Sequence, residues 1–446
     1  MNIALIYGGR SGEHEVSINS AKGVYPPLCA LGHTVFLIAI TLEGRWFWQK
    51  EEEKKKEKKE EKKKEERKNH HALVIENDTT QDNQIHSEIM IGGEKANTHK
   101  SPIGTPIKTD YPLTIVPGEG IFCSGEKLPL DAAFAVTHGF GGEDGNLQGL
   151  CMLANLPLCG CSTLSSAIGM HKDIASKLFA LEGIPTVPSL TLNHHDILWL
   201  EEKAENPPSW YTLPTSPTTT GRTRAQTSVN ALLPSTRWAE ACRILQEKVG
   251  PSLFVKPEDS GSSLGVTALR TPDGLCFKSA VLEAKRHSAC VLVQALIEPM
   301  DELECALLET EEGNLIAAGP ALVVDPGKQS NHFLSYAYKY TQVDSAYLHL
   351  PSSYPERIDQ QIRLFAKQAF RAIGAEGYAR IDFFVSGETI YLNEINTSPG
   401  MTSKSHYPLL MEHAGYSMEQ VLETLIKGAL RRKREETLRT YLPPGP

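Results

Sequence analysis

The residues best placed to do chemistry lie in two neighbouring runs, ARIDFFV and IYLNEIN. Side chains alternate along a strand, so Arg380 and Asp382 share one face, and Glu394 and Asn396 share one face of the next. A three-residue loop, Gly387 to Thr389, sets Asp382 opposite Glu394 and Arg380 opposite Asn396. Two carboxylates and an amide oxygen then converge. Hard divalent cations take oxygen ligands of this kind when they hold nucleotide phosphates. The same set also reads as a surface salt-bridge cluster.

Three further motifs carry weaker signals. In VKPEDSGSSLGV, Lys256 closes a strand and a Gly/Ser run follows. GxxxxGK[ST] is absent, so this is not a P-loop, but backbone N–H groups and hydroxyls in such a hairpin can donate to phosphates. A plain flexible hairpin fits it too. GGRSGEHEVS is a Gly turn opening a helix, with Glu13 near the strand end. It offers N–H donors or simply a tight turn and helix cap. HGFGGEDGNLQG lacks the alternating acids of a calcium loop.

The elements that must position these groups begin with strand, helix, strand: Ile3 to Tyr7, a helix to about Leu31, and His33 to Ile40. That spacing argues a βαβ unit in a parallel sheet. A buried strand, Asp131 to Thr137, leads into the Gly-rich loop His138 to Gly149, at the strand ends where α/β folds bind ligands. Short strands dominate from Leu253 onward. An amphipathic helix runs from Ile358 to Ile373, and the chain ends in a basic amphipathic helix read as a solvated terminus.

Composition limits the function classes. At 446 residues the chain suits roughly three domains. Its net charge of -9 argues against a general nucleic-acid binder. Every residue from Lys50 to Lys68 is charged, and without that run the remainder carries -12. The run falls in a polar segment at 50–100, read as a surface insertion, and a Pro/Thr-rich segment at 205–235 reads as a second. No apolar stretch is long enough for a membrane span. The nine cysteines lack paired spacing, which fits a reducing compartment.

Taken in order, GGRSGEHEVS, HGFGGEDG, KPEDSGSSLGV, ARIDFF and NEINTSPGMTSKS resemble the D-alanine–D-alanine ligases of the ATP-grasp superfamily. The resemblance covers nearly the whole chain apart from the two insertions. It implies an α/β and α+β, three-domain ATP-grasp fold with an N-terminal Rossmann-like domain. The parts would be 1–171, a substrate domain with the insertion at 50–100; 172–294, a small central subdomain with the insertion at 205–235; and 295–446, with a lid loop at 333–347. It also implies a cytoplasmic homodimeric enzyme that joins two D-alanine molecules using ATP and two Mg²⁺ or Mn²⁺ ions. Sister ligases accept D-lactate or D-serine as second substrate, and an ATP-binding regulatory protein is a third reading.

The same resemblance assigns roles. Asp382, Glu394 and Asn396 match metal ligands, and Asn396 also faces the nucleotide. Lys172 and Lys256 match phosphate-binding lysines. Ser262, Ser263, Gln294, Ala295, Ile297 and Glu302 match further nucleotide contacts. Arg380 and the N–H of Gly400 match the groups that stabilise a tetrahedral oxyanion. Glu13 matches the carboxylate that holds the first substrate's ammonium group, Ser405 the residue receiving the second carboxylate, and His138 a group near the substrates. In the lid, Lys339 would reach the γ-phosphate, and Tyr340 would bond Ser262 and Glu13; Tyr340 also favours D-alanine over D-lactate. Three positions and the two insertions depart from the family pattern: His171 stands where Asp is common, Gln294 where Glu is usual, and Lys404 where His is frequent.

Overall fold

A computed structural model describes residues 1–50, 102–104, 106–211, 234–261, 264–324 and 347–439. The assignments to Ser262, Ser263, Lys339 and Tyr340, most of the lid, and most of both insertions lie outside these residues.

The first sheet is built on Asn2–Gly8, buried from Ile3 onward. It pairs in parallel with Thr34–Ile40 on one side and Ala132–Ala135 on the other, and Leu158–Cys159 extends that second side. Trp46–Trp48 closes the opposite edge antiparallel. Chain direction from the first strand therefore diverges, with strands added on both sides. The crevice at the carboxyl end of such a point is where open α/β sheets bind ligands. The loops after Gly8 and Ala135 both open into it.

A second, four-stranded antiparallel sheet orders Thr267–Leu269, Leu253–Pro257, Val291–Ala295 and Ser189–Leu192. Its core packs Trp199, Trp238 and Phe277 under the sheet. A third, five-stranded sheet orders Tyr347–His349, Leu315–Val324, Asp301–Glu309, Tyr378–Ser386 and Thr389–Asn396. The amphipathic helix Glu356–Ala372 buries Ile358, Ile362, Ala366, Ala369 and Phe370 against this sheet. α/β and α+β parts thus share one chain.

The last helix, Met418–Thr437, corrects the expectation of a solvated terminus. Ser417 and Gln420 form a capping box at its start. Val421, Leu422, Leu425, Ile426 and Ala429 are then buried in one core with Ile18 and Leu28 of the first helix, His14–Ala30. Arg432 continues the same stripe one turn past Ala429, where it is partly buried and pairs with Glu309 and Glu376. The amphipathic pattern was legible, but not what its apolar stripe packs against. Among the described residues no helix is long and apolar enough to cross a membrane.

Candidate active site

The hairpin Tyr378–Ser386 and Thr389–Asn396 pairs Arg380 with Asn396 and Asp382 with Glu394. The expected pairing is present, but the expected three-residue loop is not. Ser386 pairs with Thr389, leaving a two-residue turn of Gly387 and Glu388, and a bulge follows between Asp382 and Phe383. The sequence carried a signal for this. Ile390, Leu392 and Ile395 are all buried, yet an unbroken strand cannot face all three to one core. An extra residue, Asn393, restores the alternation and turns Glu394 to the polar face.

The next strand completes the arrangement. Glu304 of Asp301–Glu309 pairs with Asp382, so Glu304, Asp382 and Glu394 form a cross-strand row of three carboxylates. Like charges set opposite one another are destabilising unless a cation intervenes. Arg380 supplies one. Its Nε and Nη2 donate to both oxygens of Asp382 at 2.7 Å, and Nε lies 3.2 Å from Glu304 Oε2. Asn396 Nδ2 donates to Asp382 Oδ2 at 3.0 Å, which leaves its carbonyl oxygen to act as a ligand. His406 Nδ1 lies 2.8 Å from Glu304 Oε2. Burial pushes the Asp382 carboxyl up to about 7, with Arg380 opposing it and Glu304 adding to it. Burial works against the Arg380 charge, but Asp382 and Glu304 outweigh it and keep its pKa well above the ordinary value. A divalent cation beside this row would relieve the remaining repulsion, and the oxygen donors suit Mg²⁺ or Mn²⁺.

The two lysines flank the row. Lys172 opens the helix Lys172–Leu181, and its Nζ donates to the Ser260 carbonyl at 2.8 Å and lies 3.9 Å from Glu394 Oε2. Lys256 Nζ donates to Asn393 Oδ1 at 3.5 Å, the bulge residue. Lysines from two different elements therefore reach the same end of the hairpin.

A second set of loops converges on Glu13. Gly139 has φ +66°, and a Cβ there would fall 2.8 Å from Glu13 Oε2, so only glycine lets the carboxylate lie this close. Gly261 approaches the same oxygen from the central sheet. Ser17 Oγ accepts from Gly8 N and donates to the Val136 carbonyl, fastening the two diverging strand ends. Ser11 Oγ donates to the His138 carbonyl.

His138 is buried and joins distant segments. Its Nδ1 lies 2.9 Å from the Ser398 carbonyl and its Nε2 3.1 Å from Ser20 Oγ. Nδ1 must carry the proton toward a carbonyl, so Nε2 accepts from the serine. Burial pushes its pKa below the ordinary imidazole range despite the pull of Glu13, keeping the ring neutral. Ser398 Oγ in turn donates to the Thr137 carbonyl. Glu143 is partly buried alongside and accepts from Gly139 N at 2.8 Å. Burial first, then Glu13, raises its carboxyl to about 8.

Gly400 follows in that docked loop, where a Cβ would fall 2.8 Å from Ser405 Oγ. Ser405 stands at the start of the helix His406–His413 and accepts from Thr402 N at 3.1 Å. Gln294 and Ala295 lie on the central sheet opposite Phe254 and Leu253, with Ile297 just beyond. Glu302 lies on the third sheet opposite Phe384. Glu304, His406, Glu143 and Glu258 were not singled out from the sequence. For Glu304 a signal existed: in DELECALLE the acids alternate with buried Leu303, Cys305 and Leu307.

Comparison with known proteins agrees with the motifs. The models for the D-ala D-ala ligase N-terminus and C-terminus match residues 2–161 and 227–427. A D-alanine–D-alanine ligase of Bradyrhizobium sp. (strain BTAi1) is 32% identical over 431 residues, 96% of this chain and 95% of the relative. The solved D-alanine-D-alanine ligase from Coxiella burnetii is 26% identical with a TM-score of 0.64, covering 98% of this chain and 97% of its own. The VanG D-Ala:D-Ser ligase from Enterococcus faecalis is 26% identical with a TM-score of 0.65, covering 96% and 99%. The chain belongs to the D-alanine–D-alanine ligase family and has its ATP-grasp fold.

Proposed function

From that membership, we propose that the chain joins two D-alanine molecules into D-alanyl-D-alanine at the expense of ATP, for a peptidoglycan precursor. The observation that carries this reading is the carboxylate row Glu304–Asp382–Glu394, held in register beside Arg380 and Asn396. Two lysines are aimed at its end.

A carboxylate is a poor electrophile. An oxygen of the first D-alanine attacks the γ-phosphorus, ADP leaves, and an acyl phosphate results. The amine of the second D-alanine then attacks the carbonyl carbon, and the C–O bond breaks to release phosphate. Two Mg²⁺ or Mn²⁺ ions, held by Asp382, Glu394 and Asn396, would supply neutralisation of phosphate charge. Lys172 and Lys256 add fixed positive charge beside them. Gln294, Ala295, Ile297 and Glu302 hold the nucleoside, with Ser262, Ser263 and Lys339 toward its phosphates.

Glu13 anchors the first ammonium group at the diverging strand ends. Arg380 and the Gly400 N–H stabilise the oxyanion, the kind of preorganised donor pair that contributes most in acyl transfer. Support for this lies in the His138–Ser398 bond, which holds the Gly400 loop against the Glu13 loops. Ser405, at a helix start, takes the second carboxylate, where the helix dipole favours negative charge. Tyr340 closes the site through Ser262 and Glu13 and shields the acyl phosphate from water. Division at 171 and 294, a cytoplasmic location and a homodimer complete the proposal.

Phosphate release by the purified protein with ATP and Mg²⁺ tests it. D-alanine alone is expected to sustain turnover, and D-lactate or D-serine to add little. No release with D-alanine alone would overturn the reading, and a mixed product predominating near neutral pH would move it to a sister ligase.

A further inference from the structure

Glu258 and His171 have no place in this scheme, yet they join its two phosphate-binding elements. Helix Lys172–Leu181 has no side-chain cap from its own N-cap residue, His171. The first N–H groups of a helix need outside acceptors. Here they come from a segment far along the chain. Glu258 Oε1 accepts from Asp173 N at 3.0 Å, and the Glu258 carbonyl accepts from Lys172 N at 3.4 Å. The other carboxylate oxygen, Oε2, meets His171 Nδ1 at 2.8 Å. Two residues on, the Ser260 carbonyl takes the Lys172 ammonium group.

The anchor for this grip is firm. Glu258 is 4% exposed, and its own N–H donates to the Cys290 carbonyl at the end of the central sheet. It also lies two residues after Lys256. One carboxylate thus ties the backbone that carries Lys172 to the strand end that carries Lys256. A negative charge at a helix start is favourable, and burial strengthens it.

We propose that Glu258 is a positioning residue for the phosphate site: it sets Lys172 against the Lys256–Gly261 turn, and His171 orients its carboxylate. This rests on the reading of Lys172 and Lys256 as phosphate lysines. Without the clamp, the helix start and the turn lose their common frame, and the two cations no longer meet one triphosphate. ATP binding should suffer more than the chemical step.

The test is steady-state kinetics on the full-length enzyme. E258A is expected to raise KM for ATP about tenfold, the scale of a lost charge-assisted hydrogen-bond set. kcat and KM for D-alanine should stay within about threefold. E258Q keeps an acceptor for Asp173 N and should recover most of the ATP affinity. K172A separates the underlying reading from the proposal. If K172A leaves KM for ATP unchanged, the phosphate-lysine reading fails. If K172A raises it while E258A does not, the positioning role fails. Equal loss in all parameters for E258A, with no rescue by E258Q, would mark a merely structural residue and also overturn the proposal. Should E258A not fold, H171A reads the same axis: a rise of about threefold in KM for ATP is expected, and no change would refute it.

Discussion

The metal-type hairpin and the Glu13 pocket achieve convergence by opposite means. In the hairpin, Arg380, Asp382, Glu394 and Asn396 come from two adjacent strands, and a ladder of backbone bonds sets their spacing. Around Glu13, the contributors are Ser11, His138, Gly139, Gly261 and the Ser398 loop, drawn from three sheets. A parallel ladder sets the strands before Ser11 and His138 side by side, but none ties them to Gly261 or the Ser398 loop. Their positions depend on buried hydrogen bonds such as Ser17 to Val136 and His138 to Ser398. A ladder fixes the spacing of a charge array, whereas docked loops take their spacing from contacts between distant segments.

Substitutions can break this contrast. The largest effect is expected in the hairpin. R380A removes the counter-charge of Asp382 and Glu304 and the proposed oxyanion donor, so kcat should fall about 10³-fold. If R380A instead raised KM for D-alanine with kcat intact, the hairpin would be a binding pocket and the contrast would collapse. The pocket should respond through binding. E13Q is expected to raise KM for the first D-alanine by about 10- to 100-fold, the scale of one charge-assisted bond, with a smaller change in kcat. Substrate-saturation curves distinguish the two.

A smaller effect sharpens the account of the docked loops. The raised Glu143 carboxyl means that the folded state holds a proton the unfolded chain has released. Its contribution is full below the ordinary value of 4.5 and is lost as pH rises through about 8. His138, depressed by burial, acts in the other direction and only below its ordinary 6.5. Between pH 6.5 and 8, Glu143 should therefore lower stability by at most about 1.4 kcal/mol per pH unit. E143Q keeps the acceptor for Gly139 N and should flatten that slope in thermal or urea denaturation measured across the window. An unchanged slope would show that Glu143 is ionised in the folded protein.

Legibility in the sequence followed the same divide. Alternation located Arg380 with Asp382 and Glu394 with Asn396, because a strand repeats every two residues wherever it is placed. The pairing of the two strands was readable too, although the loop length was misjudged. The spacing Ile390, Leu392, Ile395 already demanded a bulge. Glu304 was visible as an acidic face of its strand, but nothing local put that strand beside Tyr378–Ser386.

Other features had no local signature. Glu258 caps a helix 85 residues away along the chain, and a capping acceptor supplied from another segment leaves no mark in the helix's own sequence. The last helix read as basic, amphipathic and solvated, and only the fold shows its stripe Val421, Leu425 and Ala429 buried against His14–Ala30. Residue order alone was enough for the element types, the motifs and the family, since turn chemistry, periodicity and motif spacing are short-range properties. How the sheets pack, and therefore which loops meet at Glu13 and which carboxylate caps the helix that opens at Lys172, required the folded chain. Those contacts join groups that lie from 85 to 260 residues apart, and no local pattern encodes that distance.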